Sequence, residues 1–90
     1  MLPAGSWIAV LDSMAQADGD ARAARALADS LSTRYGVRVL VIDSSRYPGL
    51  NPGWWAVVLV GFDSNKEARA ACASVGRTPG DACYGREITG

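Results

Sequence analysis

Trp54-Trp55-Ala56-Val57-Val58-Leu59-Val60-Gly61-Phe62 is an unbroken apolar run set between Pro52-Gly53 and Asp63-Ser64. A run of this length, rich in valine and aromatic residues and bounded by turn formers, predicts a central strand of a sheet rather than a surface one. Its side chains pack and stack; none is a nucleophile or a metal ligand. Function must therefore come mostly from a surface that this strand helps to build.

The rest of the chain alternates between strand and helix patterns. Ser6 to Asp12, with Trp7, Ile8, Ala9, Val10 and Leu11, predicts a first strand, and the polar stretch from Asp12 to Gly19 a loop. From Asp20 to Tyr35 the period changes: Ala24, Leu27, Ala28, Leu31 and Tyr35 recur at helical spacing. Asp18 or Asp20 is placed to cap that helix, and Gly36 to end it in a left-handed conformation. Val37 to Asp43 predicts a second strand, with Arg38, Leu40 and Ile42 on one face and Val37, Val39 and Val41 on the other. The charge of Arg38 marks its face as the less buried. Ser44 to Gly53, with Pro48 and Pro52, is a linker long enough to carry contacts. After the apolar strand, Ser64-Asn65-Lys66-Glu67 has the capping-box pattern, Ala68, Ala71, Cys72 and Val75 make an apolar stripe, and Cys83 to Ile88 is a short last strand.

The order is β-α-β-β-α-β, in two weakly repeated halves: Trp7 to Ser13 followed by Ala23-Ala24 echoes Trp55 to Ser64 followed by Ala70-Ala71. Such halves predict an α+β, ferredoxin-like fold, a four-stranded antiparallel sheet with both helices on one face. The 90 residues make a single domain with a structured core from about 6 to 88. The sheet face opposite the helices is then expected to present Trp7, Ala9 and Leu11, Arg38, Leu40 and Ile42, and Trp55, Val57 and Leu59. That apolar area is too large for an inert solvent face. Trp54, alternating away from Trp55, is expected in the core beneath the helices. Tyr84 and Arg86 share a face of the last strand that the sequence does not fix.

Composition narrows the function. Nine basic and nine acidic residues cancel, which gives no electrostatic support to nucleic-acid binding or to an anionic membrane surface. The chain has no histidine, which removes the usual Ser-His-Asp and Cys-His arrangements and the commonest metal ligand. Asp12, Asp43 and Asp63 fall at strand ends and read as turn and cap residues. No enzyme activity, cofactor or metal is expected, and no run is long enough to span a membrane. Cys72 and Cys83 are either two buried thiols or a disulfide. Their positions, on a helix and at the start of the next strand, favour a bridge across a glycine-containing connection, and with it an oxidising compartment.

The aromatic-led strand with Val60-Gly61-Phe62-Asp63-Ser64, the Glu67-Ala68 pair opening a helix, and an earlier strand-helix half of the same design resemble the SPOR domain family. Tyr47 to Trp55 and Cys83 to Ile88 look like a variant of that family attached to extracytoplasmic actinobacterial proteins. The resemblance covers residues 6 to 88. It implies the βαββαβ fold, a place outside the cytoplasm within a longer exported or membrane-anchored protein, and binding of peptidoglycan glycan strands on the exposed sheet face. On this expectation Trp7 and Trp55 stack on sugar rings, while Arg38, Asn51 or Tyr47 supply polar contacts. The alternative is a protein partner, as a homodimer seam or a docking surface for a neighbouring domain, with Leu40, Ile42, Val57 and Leu59 as its centre.

Overall fold

The computed structural model describes residues 2–80 and 82–89; Met1, Asp81 and Gly90 lie outside the described residues. Strand β1 (Trp7–Ala15) leads through a 3-10 turn at Gln16–Asp18 to helix α1 (Arg22–Tyr35), and strand β2 (Leu40–Asp43) follows. A second 3-10 turn, Ser44–Arg46, opens the connection to β3 (Trp54–Phe62). Helix α2 (Asn65–Ala70) continues as a 3-10 turn over Ala71–Val75 before the last strand, β4 (Tyr84–Glu87). The sheet order is β2-β3-β1-β4 with every neighbouring pair antiparallel, the ferredoxin-like α+β arrangement that the element order predicts.

Local chemistry accounts for most boundaries. In α1 the buried stripe is Ala24, Ala28 and Leu31, small enough for the helix to lie close on the sheet. Asp20 Oδ1 accepts from the Arg22 N–H at 2.9 Å, one turn-residue ahead of the helix, and Gly36 ends it at φ 66°. Ser64 Oγ accepts from the Glu67 N–H at 3.2 Å, and Glu67 Oε2 reaches back to the Asp63 N–H at 3.0 Å, the reciprocal arrangement expected of the capping box. β1 runs three residues past its expected end at Asp12, and β2 begins three later than expected, at Leu40. Arg38 therefore precedes β2, where it is exposed.

Both faces of the sheet are buried, and the two central strands present faces opposite to those expected. Ala9, Leu11, Val57 and Leu59 belong to the cluster beneath the helices, with Ala24, Ala28, Leu31, Ala68, Cys72 and Val75, and Trp7 and Trp55 pack half-buried against it. Ala9 and Val57 are fully buried; Leu11 and Leu59 are 3% and 4% exposed. The other face carries Ile8, Val10, Ala56 and Val58, joined by Ile42 and Leu40 from β2, which do lie on that face as expected. Alternation fixes a strand's orientation only when one parity is polar, and in β3 both parities are apolar. Arg38, lying outside the ladder, oriented β2 alone.

The second face is covered by the chain itself. Tyr47 and Leu50 from the 44–53 connection, Leu2 near the N-terminus and Ile88 after β4 all pack there. Tyr47 is 8% exposed, and its hydroxyl accepts from the Leu2 N–H at 3.2 Å. The Ser44 hydroxyl, buried, accepts from the Trp54 N–H at 2.9 Å, and Ser45 Oγ from the Gly53 N–H at 2.9 Å. Burying side chains such as Tyr47 and Ile88 contributes roughly 1.5–3 kcal/mol each, so this cover belongs to the fold. The connection named as a linker is a second layer of core.

Cys72 and Cys83 are joined in a disulfide with their Cα atoms 6.0 Å apart, both fully buried. The bridge ties the end of the α2 segment to the residue before β4. On the chain-entropy model a loop of this size contributes about 3 kcal/mol, so the Cys72→Ala, Cys83→Ala double variant is expected to lose that much stability in equilibrium urea unfolding. The face assignment has its own check. Leu59→Ala is expected to cost about 2–5 kcal/mol as a core truncation, where the same change on an open face would fall within about 0.5 kcal/mol.

Candidate functional site: a cleft at the end of the second sheet face

The cover on the second face stops short of the sheet's end, and a cleft of about 230 Å³ opens there. Val10 and Ala56 form its floor, Leu50 and Asn51 one side, Trp54, Tyr84 and Arg86 the rest, with Ser13 and Ser44 adding hydroxyls. Trp54 and Tyr84 are the exposed large hydrophobic side chains of the described residues, each 40% accessible. Both stand at this one opening.

Backbone irregularities decide which side chains reach the cleft. Val10 pairs with Val58 but Asp12 with Val57, so Leu11 is an extra residue and β1 is bulged there. The bulge resets the alternation, and Ser13, opposite Ala56, arrives on the same face as Val10 instead of on that of Leu11. A second bulge lies in β3 between the partners of Trp7 and Ala9, where Gly61 takes φ 95°, a conformation other residues rarely adopt. At the far end of β3, Trp54 pairs with Ala15, where the sheet has little cover. In β4, Tyr84 pairs with Val10 and Arg86 with Ile8, which places both on the second face.

The Leu11 bulge is also clamped from outside. Arg77 donates from Nη1 to the Leu11 carbonyl and, at 3.0 Å, to the Ala82 carbonyl. A carbonyl turned out of the ladder is thereby satisfied, and the segment entering β4 is tied to the strand beside it.

Hydrogen bonds fix the rest of the rim. Gln16 Nε2 donates to Asp43 Oδ1 at 2.7 Å and to the Trp54 carbonyl at 3.2 Å, and the Gln16 N–H donates to the Gly53 carbonyl at 2.9 Å. Asp43 also caps the Ser44–Arg46 turn by accepting from the Ser45 N–H at 2.9 Å. The Gln16 amide, then the Ser45 N–H, hold the Asp43 carboxyl below the usual aspartate range, with a lesser contribution from Arg46. Across the cleft, Arg86 Nη2 donates to the Gly49 carbonyl at 2.6 Å and so pins the covering loop to β4. No acidic side chain lines the cleft among the described residues.

The structure brings few of the expected surface residues together. Asn51 lines the cleft. Ala9, Leu11, Val57 and Leu59 are core under the helices, and Ile42 and Tyr47 are core on the second face, Ile42 from the sheet and Tyr47 from the covering loop. Leu40 is half-buried on the second face and Arg38 exposed before β2. Trp7 is half-buried against the helix-side cluster. Trp55 does the same, its Nε1–H donating to the Gly19 carbonyl at 3.1 Å, beside Arg22 and Arg25 of α1. Trp54, expected in the core, is instead exposed, because the face it shares with Ala56 and Val58 is the one away from the helices. The shared parity of Tyr84 and Arg86 was a signal in the sequence, but the bulge that recruits Ser13 had none.

No protein-family model matches the chain, and neither the curated proteins nor the solved structures contain a match to it.

The depressed Asp43 value sets an expected pH dependence. A carboxyl whose folded pKa lies below its unfolded one contributes stability above the ordinary value of 3.8, and that contribution is lost as the pH falls below it through the folded value. The stability difference between the wild type and Asp43→Asn is therefore expected to be constant near neutrality and to shrink in acid, read from thermal unfolding midpoints across pH.

Proposed function

We propose that this chain is a non-enzymatic binding module of the cell envelope that holds a peptidoglycan glycan strand in the cleft between Trp54 and Tyr84. One observation carries the reading: two large aromatic side chains, each 40% exposed, flank one opening whose polar lining is hydroxyl, amide and guanidinium. Sugar rings offer apolar C–H faces for aromatic plates and hydroxyl edges for such groups, so a lining that combines both suits a sugar ring. The resemblance of Val60 to Ser64 and Glu67-Ala68 to SPOR domains supports the same ligand class, with the contact surface moved from Trp7 and Trp55 to Trp54 and Tyr84.

A protein-contact reading is the weaker of the two. Of the residues named as its centre, Ile42 is 9% exposed, Leu59 4% and Val57 not at all, which leaves it no apolar patch of that composition. The Cys72–Cys83 bridge supports an extracytoplasmic setting, within a longer exported or membrane-anchored protein. Among the described residues no helix is long and apolar enough to cross a membrane. A purely binding role agrees with the employment of Asp12 and Asp43, whose carboxylates accept from the backbone N–H groups of Ser13 and Ser45.

Co-sedimentation with purified sacculi, intact and amidase-treated, tests the proposal. The wild type is expected to bind. Trp54→Ala should weaken binding by about tenfold or more, equivalent to about 1.4 kcal/mol, while Trp55→Ala, matched for folded fraction by circular dichroism, should bind nearly as the wild type does. Failure of the wild type to bind either preparation overturns the reading.

A further inference from the structure

We infer that the outer edge of β2 is a seam between two copies of this chain, paired antiparallel about a two-fold axis at Val41. The inference is independent of the proposed ligand, and it uses the edge of the sheet, not either of its faces.

β2 is a border strand, with β3 on one side and no strand on the other. The direction of its backbone groups follows from β3. The Gln16 N–H donates to the Gly53 carbonyl in line with the Met14–Trp55 pair, so Trp55 and Val57 turn their backbone groups toward β1. Trp54, Ala56 and Val58 therefore turn theirs toward β2, and the Trp54 N–H does meet the Ser44 hydroxyl there. Ala56 and Val58 pair with Ile42 and Leu40, which leaves the N–H and C=O groups of Val41 and Asp43 pointing away from the sheet. Among the described residues no backbone group outside the sheet bonds to them.

Border strands are normally blunted by a proline, a lysine or a bulge. β2 has none of these: it reads Leu-Val-Ile-Asp, and its register with β3 is unbroken. The opposite border strand, β4, carries Arg86 and Glu87. Leu40 and Val41 are each half-buried, Leu40 against the second-face cluster and Val41 against the helix-side one, so both sides of the β2 edge keep apolar surface to bury.

An open edge of this kind takes an extended strand, and β2 itself fits it. Two-fold pairing at Val41 sets that residue opposite the partner's Val41 and Leu40 opposite the partner's Ile42, so apolar side chains meet on both sides of the joined sheet. The same register brings Arg38 to the end of the partner's strand, where Asp43 stands, and symmetry repeats the match. Arg38 is exposed and has no salt bridge among the described residues. Nine basic and nine acidic residues cancel, so two copies approach without net repulsion. Because the axis stands perpendicular to the sheet, both clefts open on the same side, and a polymeric ligand of the kind proposed above would be held at two points.

Sedimentation equilibrium over a concentration series, with amide hydrogen exchange at its two ends, tests the seam. The wild type is expected to pass from monomer to dimer. The Val41 and Asp43 amides should exchange more slowly in the dimer, while those of Leu40 and Ile42, already in the ladder with β3, stay protected throughout. Val41→Lys sets like charges opposite each other on the axis and should weaken the dimer by about tenfold. Arg38→Glu changes an exposed side chain, keeps the fold independent of that first variant, and should weaken the dimer by about fivefold.

A species that stays monomeric up to about 1 mM overturns the inference. So does a dimer in which the Val41 amide exchanges as fast as in the monomer, because its seam then lies elsewhere. Dimers of wild-type affinity in both folded variants overturn it as well.

Discussion

Burial of the β3–β1 pair on both sides is the constraint on which the other features depend. With Ala9, Leu11, Val57 and Leu59 under the helices, the alternate residues Ile8, Val10, Ala56 and Val58 are left as an apolar sheet surface. A βαββαβ unit puts its helices on one side, so a chain with two apolar parities must find a second cover. Here the connection from β2 to β3 supplies it, helped by Leu2 and Ile88. A short hairpin turn could join the same two strands, but it would leave Val58 and its neighbours wet. The length of that connection and the presence of Tyr47 and Leu50 in it are consequences of the same requirement.

The cover and the cleft are one construction. Asp43 holds the first turn of the connection, Ser44 and Ser45 hold its return into β3, and Arg86 pins its middle through Gly49. These bonds keep Leu50 and Asn51 over the sheet while leaving Trp54 and Tyr84 partly bare. Exposing two such aromatic surfaces gives up part of the burial that most of the chain's apolar residues achieve. The Arg77 clamp on the Leu11 bulge and the Cys72–Cys83 bridge act on the other wall, by fixing the path into β4.

The fold was legible in the sequence because element order, helix stripes and caps are local properties. The spacing of Ala24, Ala28 and Leu31, the Ser64-to-Glu67 box and the apolar β3 run each point to the elements observed. The orientation of the strands was not local. In β1 and β3 the two parities are equally apolar, so neither strand carries a residue that chooses between its faces, and the charge of Arg38 bears on β2 alone. The bulges at Leu11 and near Gly61 then break the period-two count within each strand. The Ser44 to Gly53 stretch, with its prolines, reads as a turn-rich linker; that Tyr47 is core follows only once the uncovered sheet face is known. Asn51 lines the cleft because its loop lies over the second face, and Trp54 faces the same opening because β3 turns the opposite parity to the helices from the one expected.

The cleft draws its lining from positions 10 and 13, from 44 to 56, and from 84 and 86, segments that meet only after the sheet has closed and β4 has docked on β1. A partly folded chain presents Trp54 without Tyr84, or the loop without Arg86. On the proposed reading, ligand affinity is confined to the fully assembled state, and occupancy would add RT ln(1 + [L]/Kd) to the folding free energy of a small domain with little margin. Ligand at a hundredfold excess over Kd would contribute about 2.7 kcal/mol, close to the contribution of the disulfide. For a domain of this size, a bound target would act as part of its own scaffold.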